Sequence, residues 1–351
     1  MKPLIPGLTA TELETLVQDE GFPPFRGRQA AESLYLNHVS SFDDMKNIPA
    51  ALRSKLTEKY DISIGKVITT LHSQDSTAKL LIELRDGLRV ETVGLPYPDR
   101  FSCCISTQVG CSIGCLFCAS GKDGFVRNLE AGEIIGQVFA IRELIRQGKI
   151  LTTEKNRRID HIVFMGMGEP LLNYDATVKT IHLLNSEMGI AARNITVSTA
   201  GIVPGIQRLA DEHLQITLAV SLHAPNDTLR KKLVPGITAW SVADIMNASR
   251  EYFQKTGRRV SFEYCMLDGV NDGEKEAREL TVLLARLNCH VNLIRFNTVS
   301  GSTFKPSSPE RLTVFRSILE EAGIQVTQRF ERGTGIDAAC GQLRQVMSTP
   351  R

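Results

Sequence analysis

From about residue 101 the sequence repeats one rhythm six times: a short apolar run of strand length, a loop, then an amphipathic stretch of helical period. The candidate strands are Ser102–Ser106, His161–Met165, Asn194–Ser198, Ile216–Ser221, Arg259–Tyr264 and Val291–Phe296. The stretches between and after them, 131–147, 176–186, 205–211, 242–255 and 274–287, read as helices. A further helix over 309–322 leads to a last strand near 324–329. Such alternation requires parallel strands joined by crossovers, hence an α/β sheet or barrel. In these folds functional groups collect at the C-terminal ends of the strands. The segments MGMGEP, VSTAG, SLHAP and RFNTVSG all fall at such ends, so the pattern predicts a site before any motif is weighed.

The region before residue 101 has a different texture. Helices are expected over 9–18, 28–37 and 50–59, the first opening on Thr9-x-x-Glu12, which offers a capping box. The stretch 66–95 then alternates apolar and polar residues around SQDST and RDG, as two or three antiparallel strands would. The expected division is an accessory domain over 1–90, a catalytic domain over 91–345 and a tail over 346–351. No apolar run approaches the roughly 20 residues that span a bilayer, and the first residues lack the apolar core of a signal peptide. A cytoplasmic protein is expected. Net charge is only +2, so RNA or DNA binding would have to rest on a local basic surface.

Five of the eight cysteines crowd between 103 and 118. In a reducing compartment such thiols read as ligands or reactive groups. Cys111-x-x-x-Cys115-x-x-Cys118 can wrap three thiolates around one centre. Zinc would ask for a fourth ligand, whereas three leave one iron of a 4Fe–4S cluster open. Phe117 precedes the third cysteine, and Gly110 and Gly114 allow a tight curl. This spacing after the first strand of a six-repeat α/β chain resembles the radical S-adenosylmethionine (SAM) signature. That resemblance implies that the open iron chelates SAM and that an electron cleaves it to methionine and a deoxyadenosyl radical. It also implies that Gly168 and Glu169 hold SAM, together with Ser198, Ser221, Leu222, His223 and Asn297 at later strand ends. By themselves a lone Ser or Asn at a strand end is a turn former, and His223 could be a structural histidine.

Cys340 lies in IDAACGQL, which on its own could be a small buried core thiol. With RVETV, CISTQVGC, FMGMGEP and SLHAPND, and with FRGRQAAESLYLNHVSSFDDMKNIPAALRSKL near the start, the chain resembles the RlmN/Cfr family of adenine-methylating radical SAM enzymes over essentially its whole length. The resemblance implies a partial (β/α)6 radical SAM barrel with a mainly helical N-terminal accessory domain and a small β extension. It implies two SAM molecules per turnover. The first methylates Cys340; the second yields the radical that activates that methyl group for addition to adenine. Cys104, at the matching offset before Cys111, would then take a proton and close a disulfide with Cys340. Glu91, in RVETV, matches the family's proton acceptor. Cys103 is left as packing, because adjacent strand residues face opposite ways.

The implied partners are 23S rRNA, tRNA beside the anticodon and a low-potential electron donor such as flavodoxin or ferredoxin, with no membrane and a monomeric chain. The MGMGEP form leans to the carbon-2 branch; carbon-8 methylation conferring antibiotic resistance is the alternative. Departures are Gly335 in place of an acidic residue, Gly236 where isoleucine is usual, and RFNTV without the proline often found after the asparagine. Candidate phosphate contacts are Arg26, Arg28, Lys149, Lys155, Arg157 and Arg158, each equally readable as solvated charge. Outside the family stand a radical SAM enzyme acting on a small molecule or protein, and a zinc-dependent RNA-binding protein that is no enzyme.

Overall fold

The computed structural model describes residues 1–37, 39–150, 152–153, 158–329 and 332–344. Lys155, Arg157 and the expected tail over 346–351 lie outside them. Three helices open the chain: α1 (Ala10–Asp19), α2 (Phe25–Tyr35) and α3 (Ala50–Lys59). α1 begins at a capping box, with the Glu12 amide donating to Thr9 Oγ1 at 3.2 Å and the Thr9 amide to Glu12 Oε2 at 2.7 Å. Arg26 and Arg28 are engaged within this unit. Arg26 bonds Gln29 and the Asn47 carbonyl, and Arg28 pairs with Glu14.

Three antiparallel strands follow: β1 (Gly65–His72), β2 (Ala78–Leu84) and β3 (Arg89–Pro96). β3 then pairs antiparallel with β4 (Phe101–Cys104), so this extension is the edge of the main sheet and not a separate layer. The expected division at 90/91 passes through β3. Next come a hairpin of β5 (Gln108–Gly110) and β6 (Phe125–Asn128), then α4 (Ala131–Arg146). The alternation continues through β7 (Ile159–Phe164), α5 (Tyr174–His182), β8 (Ile195–Thr199), α6 (Val203–Asp211), β9 (Thr217–Ser221) and α7 (Asp227–Leu233). It ends with α8 (Val242–Thr256), β10 (Val260–Met266), α9 (Glu274–Leu284), β11 (Cys289–Arg295), α10 (Pro309–Glu321) and β12 (Gln325–Arg329).

The large sheet runs β1-β2-β3-β4-β7-β8-β9-β10-β11-β12, and every pairing from β4 onward is parallel. The order is linear and does not close, which matches the partial barrel expected. Its inner and outer faces are packed with fully buried aliphatic and aromatic residues, among them Phe164, Leu218, Val220, Phe262 and Leu293. The helical unit docks on α4, where Arg142 donates to the Leu34 and Tyr35 carbonyls at the end of α2. The guanidinium thus caps the C-terminal end of the helix, where carbonyls run out of helical partners.

Three elements were not anticipated. α7 hides in APNDTLRKKL because few of its positions are apolar; Asn226 caps it by accepting from the Leu229 amide at 3.0 Å. β5 and β6 are too short for a period of two to register. The helix expected over 176–186 leaves α geometry after His182 in a π turn, Leu183–Glu187. Among the described residues no helix is long and apolar enough to cross a membrane.

Candidate active site

Cys111 follows β5, and the chain from there to Cys118 folds back under the strand ends. The Cys111 amide donates to the Gly124 carbonyl at 3.0 Å and the Cys118 amide to the Cys115 carbonyl at 3.1 Å. Gly110 and Gly114 sit at φ of +75° and +62°. All three thiols line one cavity of about 160 Å³. No three His, Cys, Asp or Glu side chains among the described residues converge tightly enough for a single ion. Three thiols on one wall fit the three protein ligands that a 4Fe–4S cluster takes when one iron is left open. Burial pushes the Cys111 thiol up to about 12 and raises Cys115 and Cys118 as well. A cationic cluster bound there would supply the charge that compensates for losing those protons.

The loop after β7 crosses directly over the loop after β4. At Gly168, φ is +98° and a Cβ would stand 2.5 Å from Gln108 Cβ, so only glycine fits there. Glu169 is thereby carried into the cavity wall, its amide donating to Gln108 Oε1 at 2.8 Å. Its carboxylate is aimed by two amides, Leu171 at 3.0 Å and Ala200 at 2.7 Å. Burial raises its pKa to about 7. An ammonium group brought into this dry pocket would restore the charged form.

Ser198, Ser221 and His223 share the same wall, and the two serine hydroxyls stand 3.3 Å apart. His223 has φ of +59°, and its Nδ1 accepts from the Cys265 amide at 3.0 Å. That leaves the proton on Nε2. Its ring meets Phe117 edge-on at 4.7 Å, and burial lowers its pKa to about 3, so it stays neutral. Leu222 is fully buried behind the wall; its carbonyl accepts from Arg230, which also holds the Ser221 and Ala200 carbonyls. Arg230 thus fixes the ends of β8 and β9 from behind.

Cys340 lines this cavity and also a second one of about 40 Å³, which contains Cys104, Tyr97, Leu95 and Asn297. Met165, Ile294 and Arg329 belong to both walls, so the two spaces meet at Cys340. Asn297 Nδ2 donates to the Cys340 carbonyl at 3.1 Å, while its Oδ1 is buried without a hydrogen-bond partner. Cys104 and Cys340 are both free thiols, and burial raises the pKa of Cys104 strongly, with Arg329 opposing it. Cys103 faces the other way, its Sγ 3.9 Å from Thr92 Oγ1.

Glu91 lies on neither wall. Its carboxylate pairs with Lys79 at 2.9 Å and accepts from the Arg344 amide at 2.9 Å. Lys79 also donates to the Asp337 carbonyl at 3.1 Å. Burial raises the Glu91 pKa and Lys79 opposes the shift. In this arrangement Glu91 is an anchor for the segment that carries Cys340. The segment is held from the other side by Gln342 on the Thr298 carbonyl and by Ala119 on the Gly341 carbonyl.

Glu263 and Arg329, charged residues absent from the sequence-based set, also stand in this cavity wall. Glu263 pairs in register with Ser221 on one side and Asn292 on the other, and accepts from Asn292 Nδ2 at 2.7 Å. Its Oε2 is buried with no hydrogen-bond partner, 3.9 Å from Arg329 Nη1. A carboxylate inside an otherwise apolar strand was the available signal, since burying one calls for a partner.

The family comparisons agree with this geometry. Residues 105–281 match the radical SAM superfamily and residues 5–62 the ribosomal RNA large subunit methyltransferase N-terminal domain. The relative named Probable dual-specificity RNA methyltransferase RlmN from Symbiobacterium thermophilum is 45% identical, over 97% of this chain and 91% of its own length. The chain belongs to the RlmN family of radical SAM methyltransferases. A family member from Nitrosopumilus maritimus, named Ribosomal RNA large subunit methyltransferase N, is 44% identical over 96% of this chain and 97% of its own. A crystal structure of a radical SAM methyltransferase from Sphaerobacter thermophilus superposes with a TM-score of 0.92 at 43% identity, covering 97% of this chain and 99% of that one. As an RlmN-family enzyme the chain uses a 4Fe–4S cluster and SAM.

Proposed function

We propose that this chain methylates carbon 2 of an adenine in 23S rRNA, and in tRNA beside the anticodon, with Cys340 as the methyl carrier. The observation that carries the reading is the position of Cys340 at the junction of two spaces. One is walled by the three cluster cysteines and Glu169; the other holds Cys104. A carrier thiol has to be reached first by a methyl donor and then by the base, and this junction meets both needs.

Cys111, Cys115 and Cys118 hold the cluster, which when bound supplies the electron that cleaves SAM. Glu169 takes the ammonium of SAM, and Ser198, Ser221 and neutral His223 supply hydroxyl and N–H contacts around it. Asn297 fixes the backbone of Cys340 through its carbonyl. Leu222 acts from behind, by keeping the strand ends in place. Cys104 would act as the base that removes the proton from the adenine carbon joined to Cys340, and its sulfur would then attack the Cys340 sulfur. The disulfide forms as the Cys340 sulfur–carbon bond breaks, the electron pair of that bond leaving with the product carbon, which takes a proton to complete the methyl group. Arg329 is the cation that favours its thiolate there. Glu91 tethers Arg344; serving as proton acceptor would require that tether to open when RNA arrives. A monomeric, cytoplasmic enzyme is part of this proposal, as the family resemblance implies.

The test is single-turnover reaction with methyl-labelled SAM and RNA fragments. Label should appear on the Cys340 peptide and then on carbon 2 of adenine, by mass spectrometry of the protein and of the digested RNA. Label on carbon 8 would move the chain to the other branch, and label on Cys265, which also lines the cavity, would displace Cys340 from its role.

A further inference from the structure

Between the second and third cluster cysteines, Phe117 turns inward while Leu116 is 51% exposed. The Leu116 amide donates to the Leu233 carbonyl at 3.1 Å, which fastens the end of α7 to the cluster loop. α7 closes on three consecutive basic residues. Arg230 is buried, with both terminal guanidinium nitrogens held by carbonyls behind the cavity, but Lys231 and Lys232 are exposed. On the loop's other flank, Lys122 is exposed, and Phe125 and Val126 of β6 are 45% and 47% exposed. Single exposed apolar residues are ordinary. Here three of them lie on the cluster loop itself and on the hairpin whose Gly124 carbonyl binds the Cys111 amide.

We propose that the face centred on Leu116, with Lys122, Lys231 and Lys232 at its rim, docks an acidic one-electron carrier protein. This rests on the radical SAM reading above. Each SAM cleavage takes one electron, and a reduced flavin or iron–sulfur carrier supplies it, being itself oxidised by one electron. A carrier touching Leu116 lies one residue from Cys115 and two from Cys118. No other exposed large side chain is so close in the chain to two cluster ligands among the described residues. Transient electron-transfer complexes use small interfaces steered by opposite charge, and an apolar centre with a basic rim has that form. RNA has a different destination: the base must reach the cavity of Cys104 and Cys340, whose lining contains none of these residues.

The experiment uses reconstituted holoenzyme and an acidic flavodoxin as probe. Zero-length carbodiimide coupling followed by peptide mapping should join flavodoxin carboxylates to Lys231 or Lys232. The double variant Lys231→Glu/Lys232→Glu should bind flavodoxin about tenfold or more weakly, and wild-type binding should weaken as salt rises. Dithionite-driven SAM cleavage should be unchanged in the double variant. A charge reversal elsewhere, Lys66→Glu on β1, should leave flavodoxin binding intact. Wild-type enzyme that does not bind flavodoxin, or a double variant that binds it as wild type does, overturns the proposal. So does a double variant that loses RNA affinity and keeps flavodoxin affinity, since the face would then belong to RNA. If dithionite supports no SAM cleavage in wild type, the radical SAM reading itself fails and takes the docking face with it.

Discussion

Gly236, one of the departures noted in the sequence, abuts the cluster loop so closely that the structure says what a side chain there would cost this chain. Its amide donates to the Ile113 carbonyl at 2.9 Å, inside the cluster loop. A Cβ on Gly236 would stand 2.4 Å from the Ile113 oxygen and 2.7 Å from its carbonyl carbon and Cα. These are backbone atoms, so no side chain can swing aside. Gly236→Ala therefore has to push the loop or break the hydrogen bond, an overpacking cost of about 1–3 kcal/mol. For a chain of this length that corresponds to a fall of about 1–4 °C in Tm. Because the displaced backbone lies between Cys111 and Cys115, cluster occupancy should fall together with stability, and Gly236→Ile should be worse on both counts. Thermal unfolding, with iron and sulfide counted per chain after anaerobic reconstitution, reads the two effects. Wild-type Tm and full cluster content in both variants would refute the reasoning, because the contact could then not be as tight as the backbone positions require.

Cys104→Ala should still accept a methyl group on Cys340 but stall as a covalent protein–RNA species on denaturing gels, whereas Cys103→Ala, altered on the opposite face, should turn over. The reverse pattern would mean that the other thiol is the resolving one. Glu263→Gln should weaken SAM binding about tenfold in equilibrium dialysis, as expected when a charged acceptor is lost from a buried donor. Unchanged affinity with a lowered Tm would leave Glu263 as a counter-ion to Arg329 alone. Asp75 accepts from the Gly333 amide and pairs with Arg332, and its hydrogen bonds hold its carboxyl down at about 2, against an ordinary 3.8. A depressed carboxyl stabilises the fold above its unfolded pKa and loses that effect on acidification, so the Tm gap between wild type and Asp75→Asn should narrow as pH falls from about 5 toward about 3. A gap independent of pH would assign the effect to packing.

The strand–helix alternation was legible because strands such as β9 and β10 are mostly apolar runs with nearly every residue buried, and burial on both faces leaves them little else to be. The cluster loop was legible in its spacing. What needed coordinates was pairing between distant segments. Glu263 could not be assigned a direction until its register with Ser221 and Asn292 was known. Glu91 and Arg344, joined by one hydrogen bond, are separated by 253 positions, and nothing local in RVETV announces the tether. Leu222 sits beside two cavity residues and faces away from the cavity, as a period of two requires of one neighbour in a strand-like run. The short α7 escaped because its one strongly buried polar residue, Arg230, reads as surface in any scheme based on residue type.

The antiparallel β1–β3 unit is hydrogen-bonded into the barrel sheet, and α2 is clamped to α4 by Arg142. The N-terminal part therefore behaves as a fixed arm of the barrel. From β1 to β4 there are three strand spacings, about 14 Å in all, and that length cannot be adjusted without breaking a ladder. Under the proposed function, an RNA feature gripped by the arm would be held at a set reach from Cys104, at the inner end of the same ladder. Substrate choice would then be a matter of measurement: an adenine would qualify when its distance from the gripped feature matches the arm, whichever RNA it belongs to.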